Sequence, residues 1–325
     1  MNILFAGSPG IAVPSLKALS EIEFADKNIK LTGLLTNPDS AQGRKSGLIP
    51  TDVSTAAVEL SALRQGQGLP EIIQKKCAKL GRAEREDIAA LKCDLLISFA
   101  YGRIFGPKFL ELFPMGGINI HPSLLPKYRG PSPITAAILH RDKETGITIQ
   151  KLGLEMDAGD ILAQESFALN GNETTESLSQ FVSELAAKML KSLIPDIARG
   201  FVKSRPQAGE PLYCSLITKE QGRLDWNLPA EEIDAQVRAY NPWPLCFTIW
   251  GGEELYILQG GVFEDASESN LTPGLVKGID RDHGILIQTG NGVYAVKYLQ
   301  RRAKKAMDWK AFVNGARDFA GSLLN

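Results

Sequence analysis

The sequence predicts an α/β domain followed by a small β-barrel, and three stretches carry that expectation. MNILFAG at 1–7 is a short apolar strand that passes through a Gly/Pro turn into helical spacing of Leu16, Leu19 and Ile22, the opening of a βαβ unit. CDLLISFAYG at 93–102 is almost continuously apolar, as a central parallel strand covered on both faces must be. Toward the end the pattern changes to short strands punctuated by glycine, FTIWGGEELYIL, PGLVKGID and HGILIQTGNGVYAVKYLQ, which argues a small barrel. A length of 325 residues leaves room for two such domains.

Composition narrows the function classes. Thirty-six Lys/Arg stand against 37 Asp/Glu, a formal net charge of -1, so a nucleic-acid partner would have to be met by a local patch. Cys77, Cys93, Cys214 and Cys246 form no CxxC pair and read as reduced thiols. His121, His140 and His283 form no close cluster with them, so no metal site is expected. MNILFAG is too short for a signal segment and no apolar run reaches membrane-spanning length. The expectation is a cytoplasmic protein with no membrane partner.

In chain order, the turn after the first strand reads GSPG, which is not GxGxxG, so a dinucleotide is not expected there. LTGLLTN at 31–37 is the second strand. The loop after it, PDSAQGRKSGLIPTDVS, is long, polar and carries Arg44 and Lys45 between Gly43 and Gly47. Residues 54–92 have a mostly helical pattern, including a 71–87 portion in which no site is legible, and IFGPKFLELF is a short helix.

The stretch GINIHPSLLPKYRG at 117–130 carries the chemistry. Ile118 and Ile120 alternate with Asn119 and His121, so at period two the polar pair shares one face of a strand that Pro122 stops. Ligands of open α/β sheets bind beyond such carboxyl ends. An Asn there can donate to a developing oxyanion and a His can move a proton near neutral pH. N-x-H by itself also suits a strand-end imidazole bonded to a backbone carbonyl. ITAAILHRDK at 134–143 is a helix with His140 near its end in a structural place. ITIQKL is a strand, and EMDAGD after it brings Asp157 and Asp160 on a polar loop; a carboxylate beside an imidazole orients it and stabilises its protonated form. Residues 160–169 form a strand. Residues 170–200 form an amphipathic helix with Leu178, Phe181, Leu185, Met189 and Ile194 along one stripe, closing a first domain at 1–202.

KSRPQAGEPLYCS at 203–215 reads as a linker and 216–325 as the second domain. That domain opens with a capped helix in NLPAEEIDAQVRAY and a rigid turn, NPWP, in which Trp243 is expected to act as an inter-domain hydrophobic hook. Near its end Lys297, Arg301, Arg302, Lys304, Lys305 and Lys310 face a single acid, Asp308, although from Pro206 onward 12 Lys/Arg stand against 15 Asp/Glu. This cluster is the nucleic-acid-like feature of the chain, and a solvated charge run would look the same.

The ordered set NxHPSLLP, RG, TGITI and MDAGDIL resembles the formyltransferases that use 10-formyltetrahydrofolate. KEQGRLDW and RAYNPWP are similar to the branch whose acceptor is an initiator methionyl-tRNA, and the resemblance covers nearly the whole chain. It implies a Rossmann-like formyltransferase domain without a dinucleotide, joined to a C-terminal OB-like β-barrel. It implies catalytic roles for Asn119, His121 and Asp157, and folate contact by Ser123, Leu124, Leu125 and Pro126, with the Tyr101-Gly102 loop nearby. It implies that the loop holding Arg44 and Lys45 meets the acceptor end of the tRNA, with a GRKSGL version thinner in basic residues than the family's. Arg301, Arg302, Lys304 and Lys305 would touch tRNA backbone. The co-substrate would be 10-formyltetrahydrofolate, with no metal, and the chain a monomer. Two rivals stay open: formyl transfer to a small amine such as glycinamide ribotide or an amino sugar, and a non-catalytic RNA-binding protein on the same fold.

Overall fold

The structure, a computed structural model, describes residues 1–41, 47–264 and 271–325; Arg44 and Lys45 fall outside the described residues. The chain divides into two compact units. The first comprises Met1–Pro133, Glu144–Phe167 and Ser179–Cys214; the second comprises Ile134–Lys143, Ala168–Leu178 and Ser215–Asn325.

The elements up to residue 198 are strands β1 (Asn2–Ala6), β2 (Lys30–Thr36), β3 (Ser40–Ala41), β4 (Leu48–Ile49), β5 (Ile73–Lys76), β6 (Leu95–Ser98), β7 (Gly117–His121), β8 (Glu144–Lys151) and β9 (Ile161–Ala168). Helices α1 (Val13–Ala25), α2 (Asp52–Gly66), α3 (Arg82–Ala89), α4 (Pro107–Leu110), α5 (Pro133–Leu139) and α6 (Thr175–Ala198) alternate with them. Seven strands form one sheet in the order β5-β2-β1-β6-β7-β8-β9. The pairs from β5 to β7 are parallel, and β8 runs antiparallel to β7. The strand order reverses between β1 and β6, so the carboxyl ends of β1, β6 and β7 open on the switch-point side where α/β sheets take ligands.

Local chemistry accounts for the boundaries. Pro14 opens α1, where its missing N–H costs nothing. Thr51 caps α2 by accepting from the backbone N–H of Ser54 at 3.2 Å. Under the sheet, Leu4, Ala6, Leu35, Ile88 and Leu96 are buried with a ladder of Tyr101, Phe105, Phe109 and Phe113, whose successive ring centroids lie 5.4, 5.2 and 5.6 Å apart. The ladder fixes the segment after β6, and hence one wall of the switch point, by aromatic packing. Gly102 there has φ 79°, in the left-handed region that favours glycine.

The second unit holds α7 (Ala230–Ala239), β10 (Cys246–Trp250), β11 (Glu253–Phe263), β12 (Val276–Asp280), β13 (Gly284–Gln288), β14 (Val293–Arg301), β15 (Met307–Asp308) and α8 (Trp309–Gly315). Its strands follow the order β10-β11-β14-β13-β12, each pair antiparallel, with β15 on β14. The last residues join the two ends of this sheet. Asn325 exchanges both backbone hydrogen bonds with Ile249 of β10, at 2.8 and 3.2 Å. The N–H of Leu324 donates to Gly274, and the N–H of Val276 in β12 donates to Ser322, both at 2.9 Å. Ser322–Asn325 thus stands where a barrel needs its closing strand. Trp226 is buried and its indole N–H donates to Thr248 at 3.0 Å.

Four local expectations need correction. The 71–87 stretch, expected to be helical, contains β5, an edge strand whose Lys75 and Lys76 suit an edge that must not pair further. Phe181 does not lie in the buried stripe of α6: it is 50% exposed and leans on Phe167, while Val182, Ala186 and Leu190 take the inward positions. Helix α7 has no side-chain cap; the N–H of Ala230 is satisfied by the carbonyl of Asn291 instead. Trp243 is 55% exposed, so it is not a buried hook.

Candidate active site

Strand β7 delivers Asn119 and His121 to one face, as its alternation predicts. Ile118 and Ile120 are 2% exposed, which fixes the register that turns the polar pair the other way. Asn119 pairs across to Ser98 of β6 and Gln150 of β8, and His121 pairs to Thr148. The chain then turns sharply. The hydroxyl of Thr148, wholly buried, accepts from Leu125 N–H at 3.1 Å and donates to the Ser123 carbonyl at 2.7 Å. Gln164 adds donors to Thr148 Oγ1 at 2.8 Å and to the Leu125 carbonyl at 3.1 Å. The SLLP turn is therefore tied to the neighbouring strands by the buried Thr148 and the half-buried Gln164.

This turn brings the Tyr128 carbonyl back to the imidazole. His121 Nε2 lies 2.8 Å from that oxygen, and a carbonyl only accepts, so Nε2 carries the proton. Nδ1 is left as the basic nitrogen, 3.5 Å from Oδ2 of Asp157. The ring is 4% exposed. Burial pushes the imidazole pKa down; the Asp157 carboxylate and the Tyr128 carbonyl pull it back up without cancelling the effect. His121 is accordingly neutral near pH 7, with a carboxylate placed to receive it as a cation.

Asp157 gathers the site. Its Oδ2 accepts from Gly130 N–H at 2.9 Å. Its Oδ1 accepts from Gln150 Nε2 at 2.9 Å and, loosely, from Asn119 Nδ2 at 3.5 Å. Asp157 itself has φ 50°, the left-handed region that a non-glycine residue occupies only when its surroundings impose it. Two glycines permit the close approach. Gly130, at φ 120°, lies against the Cys214 carbonyl, and Gly159 lies against the Lys151 carbonyl; a Cβ at either would overlap that oxygen. The three residues expected to be catalytic thus meet around one carboxylate.

The folate expectation divides. Ser123 is fully buried with its hydroxyl on the Lys127 carbonyl, and Leu125 is 4% exposed, so both side chains present little surface. Leu124 and Pro126 are half-buried and keep surface to offer. In the second unit, the basic cluster also divides. Arg301, the last residue of β14, lies over the rings of Trp250 and Phe312, at 4.7 and 5.3 Å from their centroids. Arg302, Lys304 and Lys305 are exposed on the turn between β14 and β15, with Arg302 3.9 Å from Glu254.

Family comparison decides the class. The formyl transferase family model matches residues 1–194, and the formyl transferase C-terminal domain model matches 216–317. Methionyl-tRNA formyltransferase of Treponema denticola is 46% identical over 98% of both chains. This chain belongs to the methionyl-tRNA formyltransferase family. The Treponema pallidum member is 40% identical over 97% of both chains. Among solved structures, the sugar 3N-formyl transferase WlaRD superposes with TM-score 0.63 at 19% identity, covering 94% of this chain and 99% of its own. HypX from Aquifex aeolicus in complex with tetrahydrofolic acid superposes with TM-score 0.61 at 20% identity over 98% of this chain, which spans 48% of HypX. At those identities the likeness is one of fold.

The family motifs point to Asn119, His121 and Asp157 and miss the groups that hold them. Gln150 and Gln207 bond to Asp157, Arg129 bonds to Gln207, and the Tyr128 carbonyl sets the tautomer of His121. Gln150 had a signal: a polar residue inside the apolar run ITIQKL, 1% exposed, needs partners. Gln207 had none, because its segment reads as a linker. Among the described residues no group of three or more His, Cys, Asp or Glu could hold a metal ion, and no helix is long and apolar enough to cross a membrane.

Proposed function

We propose that this enzyme transfers the formyl group of 10-formyltetrahydrofolate to the free amine of the methionyl moiety on initiator methionyl-tRNA, with Asn119, His121 and Asp157 as its catalytic residues. The observation that carries the reading is that one carboxylate, Asp157, stands within reach of both the Asn119 amide and the His121 ring. The folate supplies an activated formyl carbon on N10; the chain supplies position, an oxyanion donor and a proton path.

Asn119 donates through Nδ2 to the formyl oxygen as charge develops on it during attack by the amine. Its contact to Asp157 is long enough, at 3.5 Å, to be exchanged for that oxygen. His121 takes the proton from the attacking nitrogen at Nδ1 and returns it to the departing N10 as the C–N10 bond breaks. Asp157 stabilises the imidazolium formed between those two steps. No covalent enzyme intermediate is required. Leu124 and Pro126, with the backbone of the turn they sit in, would hold the folate. The exposed cations Arg302, Lys304 and Lys305 would meet tRNA phosphate, as would Arg44 and Lys45. The working form is taken to be a cytoplasmic monomer.

The test is an assay of purified protein with 10-formyltetrahydrofolate and charged initiator tRNA, with glycinamide ribotide and a nucleotide-linked amino sugar in parallel. Formylation of the methionyl-tRNA alone supports the reading. Turnover of a small amine, with none of the tRNA, would replace it by the small-molecule alternative.

A further inference from the structure

Residues 203–214 are a strap along the first unit, not a free linker. Arg205 exchanges both backbone hydrogen bonds with Ile161, at 2.7 and 2.9 Å. Leu212 N–H donates to the Pro126 carbonyl at 3.2 Å, Arg129 N–H to Leu212 at 2.8 Å, and Cys214 N–H to Arg129 at 2.8 Å. Between these attachments Gln207 turns into the site.

Its carboxamide meets acceptors on one side and donors on the other. Nε2 lies 2.8 Å from the backbone oxygen of Asp157, 2.9 Å from that of Gly159 and 3.2 Å from Oε1 of Gln150. Oε1 accepts from Nε and Nη2 of Arg129, at 3.1 and 2.8 Å. A guanidinium donates and never accepts, so Arg129 admits one orientation of the Gln207 amide. Held that way, Gln207 donates to Oε1 of Gln150, which obliges the Gln150 NH2 to face Oδ1 of Asp157 at 2.9 Å. Each amide is thus oriented by the one before it, and the series starts at a group that cannot reverse. The same Nε2 also grips both ends of the turn that keeps Asp157 at φ 50°, a conformation that needs support from outside the residue.

We propose that Gln207 is a positioning residue for formyl transfer: oriented by Arg129, it fixes the Asp157 carboxylate against His121 and Asn119. The proposal rests on the proposed function only for its activity readout. Among the described residues, the charged group facing the ring is Asp157. Of its neighbours, Cys214 packs on the Tyr128 carbonyl, and Arg129 is engaged by Gln207 and lies 3.6 Å from Glu155.

The variant Gln207→Met keeps length and removes every polar atom. With the full-length enzyme, kcat at saturating folate and methionyl-tRNA falls on the order of 10- to 100-fold, as for a misplaced catalytic group, while both KM values stay close to wild type. An independent readout needs no substrate: with three histidines in the chain, the His121 ring is followed by NMR through a pH titration. Its midpoint moves to lower pH in Gln207→Met, because the carboxylate that favours the cation is no longer held beside it. Arg129→Met frees only the acceptor end of Gln207 and moves both readouts in the same direction, by less; it serves if Gln207→Met does not fold. A kcat loss with an unmoved His121 titration makes the strap merely structural and overturns the proposal, as does wild-type behaviour in both readouts. A moved titration in a protein whose wild type does not formylate methionyl-tRNA keeps the positioning role and removes the function reading instead.

Discussion

His121 Nδ1 stands 3.5 Å from Asp157 Oδ2 while its other ring nitrogen is committed to the Tyr128 carbonyl at 2.8 Å. The pair is set apart by slightly more than a hydrogen bond, and the ring between them is buried. A neutral imidazole and a carboxylate present lone pairs to each other across that gap. A proton arriving at Nδ1 turns the same gap into an ion pair. The resting pair is thus a neutral imidazole beside a carboxylate that favours its cation.

Asn119→Ala and His121→Ala are each expected to lower kcat on the order of 100-fold or more, the usual cost of losing an oxyanion donor or a positioned proton carrier. Folate binding should survive in both, since neither side chain belongs to the Leu124–Pro126 turn. Rate measurements at saturating substrates check this, and turnover within a few-fold of wild type in either variant removes that residue from the mechanism.

Asp157→Asn should show most clearly in the pH dependence. Burial already holds the His121 pKa below the ordinary imidazole range, and Asp157 works against that shift. Removing the charge lowers the pKa further, so the acid limb of the pH–rate profile moves to lower pH. Folding stability follows the same sign: the unfolded ring protonates first as pH falls, so the native state loses stability below the ordinary imidazole range, over a wider pH window in the variant. An acid limb that stays in place would separate Asp157 from His121.

How much of this was legible in the sequence depends on how local each determinant is. The strand with Asn119 and His121 could be read because alternation and a proline stop act within a few residues. The placement of Asp157 came from the resemblance of the MDAGDIL motif to a family. The strap could not be read: SRPQAGEP has the composition of a linker, and its attachments to Ile161, Pro126 and Arg129 are backbone hydrogen bonds that leave no side-chain pattern. Strand β5 was missed for a related reason, since an edge strand with polar, lysine-bearing positions has no two-sided apolar run to announce it. The difference between Ser123 and Leu124 was equally invisible, because both lie in one family motif and only the turn decides which side chain faces inward.

In the first unit Arg64 and Glu23 form an ion pair at 2.6 Å between α2 and α1, with side chains 1% and 2% exposed. Glu23 also accepts from Leu31 N–H, and Arg64 donates to the carbonyls of Leu31 and Pro70. Arg64→Ala strands a buried carboxylate, and a loss of about 3–5 kcal/mol is expected in urea unfolding of this unit. Replacing both residues by apolar ones of similar volume should recover much of that loss, with kcat unchanged below the transition. A single variant as stable as the wild type would mean that the pair is reached by water.

The last prediction separates two kinds of cation in the second unit. Lys304 and Lys305 are exposed on the β14–β15 turn, so their natural partner in a tRNA complex is phosphate. Arg301, although within the same run, is committed to Trp250 and Phe312. Lys304→Glu with Lys305→Glu should weaken methionyl-tRNA binding and flatten its dependence on salt, the log–log slope falling by about one for each phosphate left without its lysine. The rate should stay near wild type once tRNA saturates, because neither lysine belongs to the unit that holds Asn119, His121 and Asp157. Arg301→Ala should act differently: it removes a cation packed on Trp250 and Phe312, so thermal stability falls while the salt slope stays nearly constant. Binding measured across a salt series, alongside thermal melts of both variants, distinguishes the two outcomes. If the double lysine variant binds charged tRNA as wild type does at low and moderate salt, this turn has no part in holding nucleic acid.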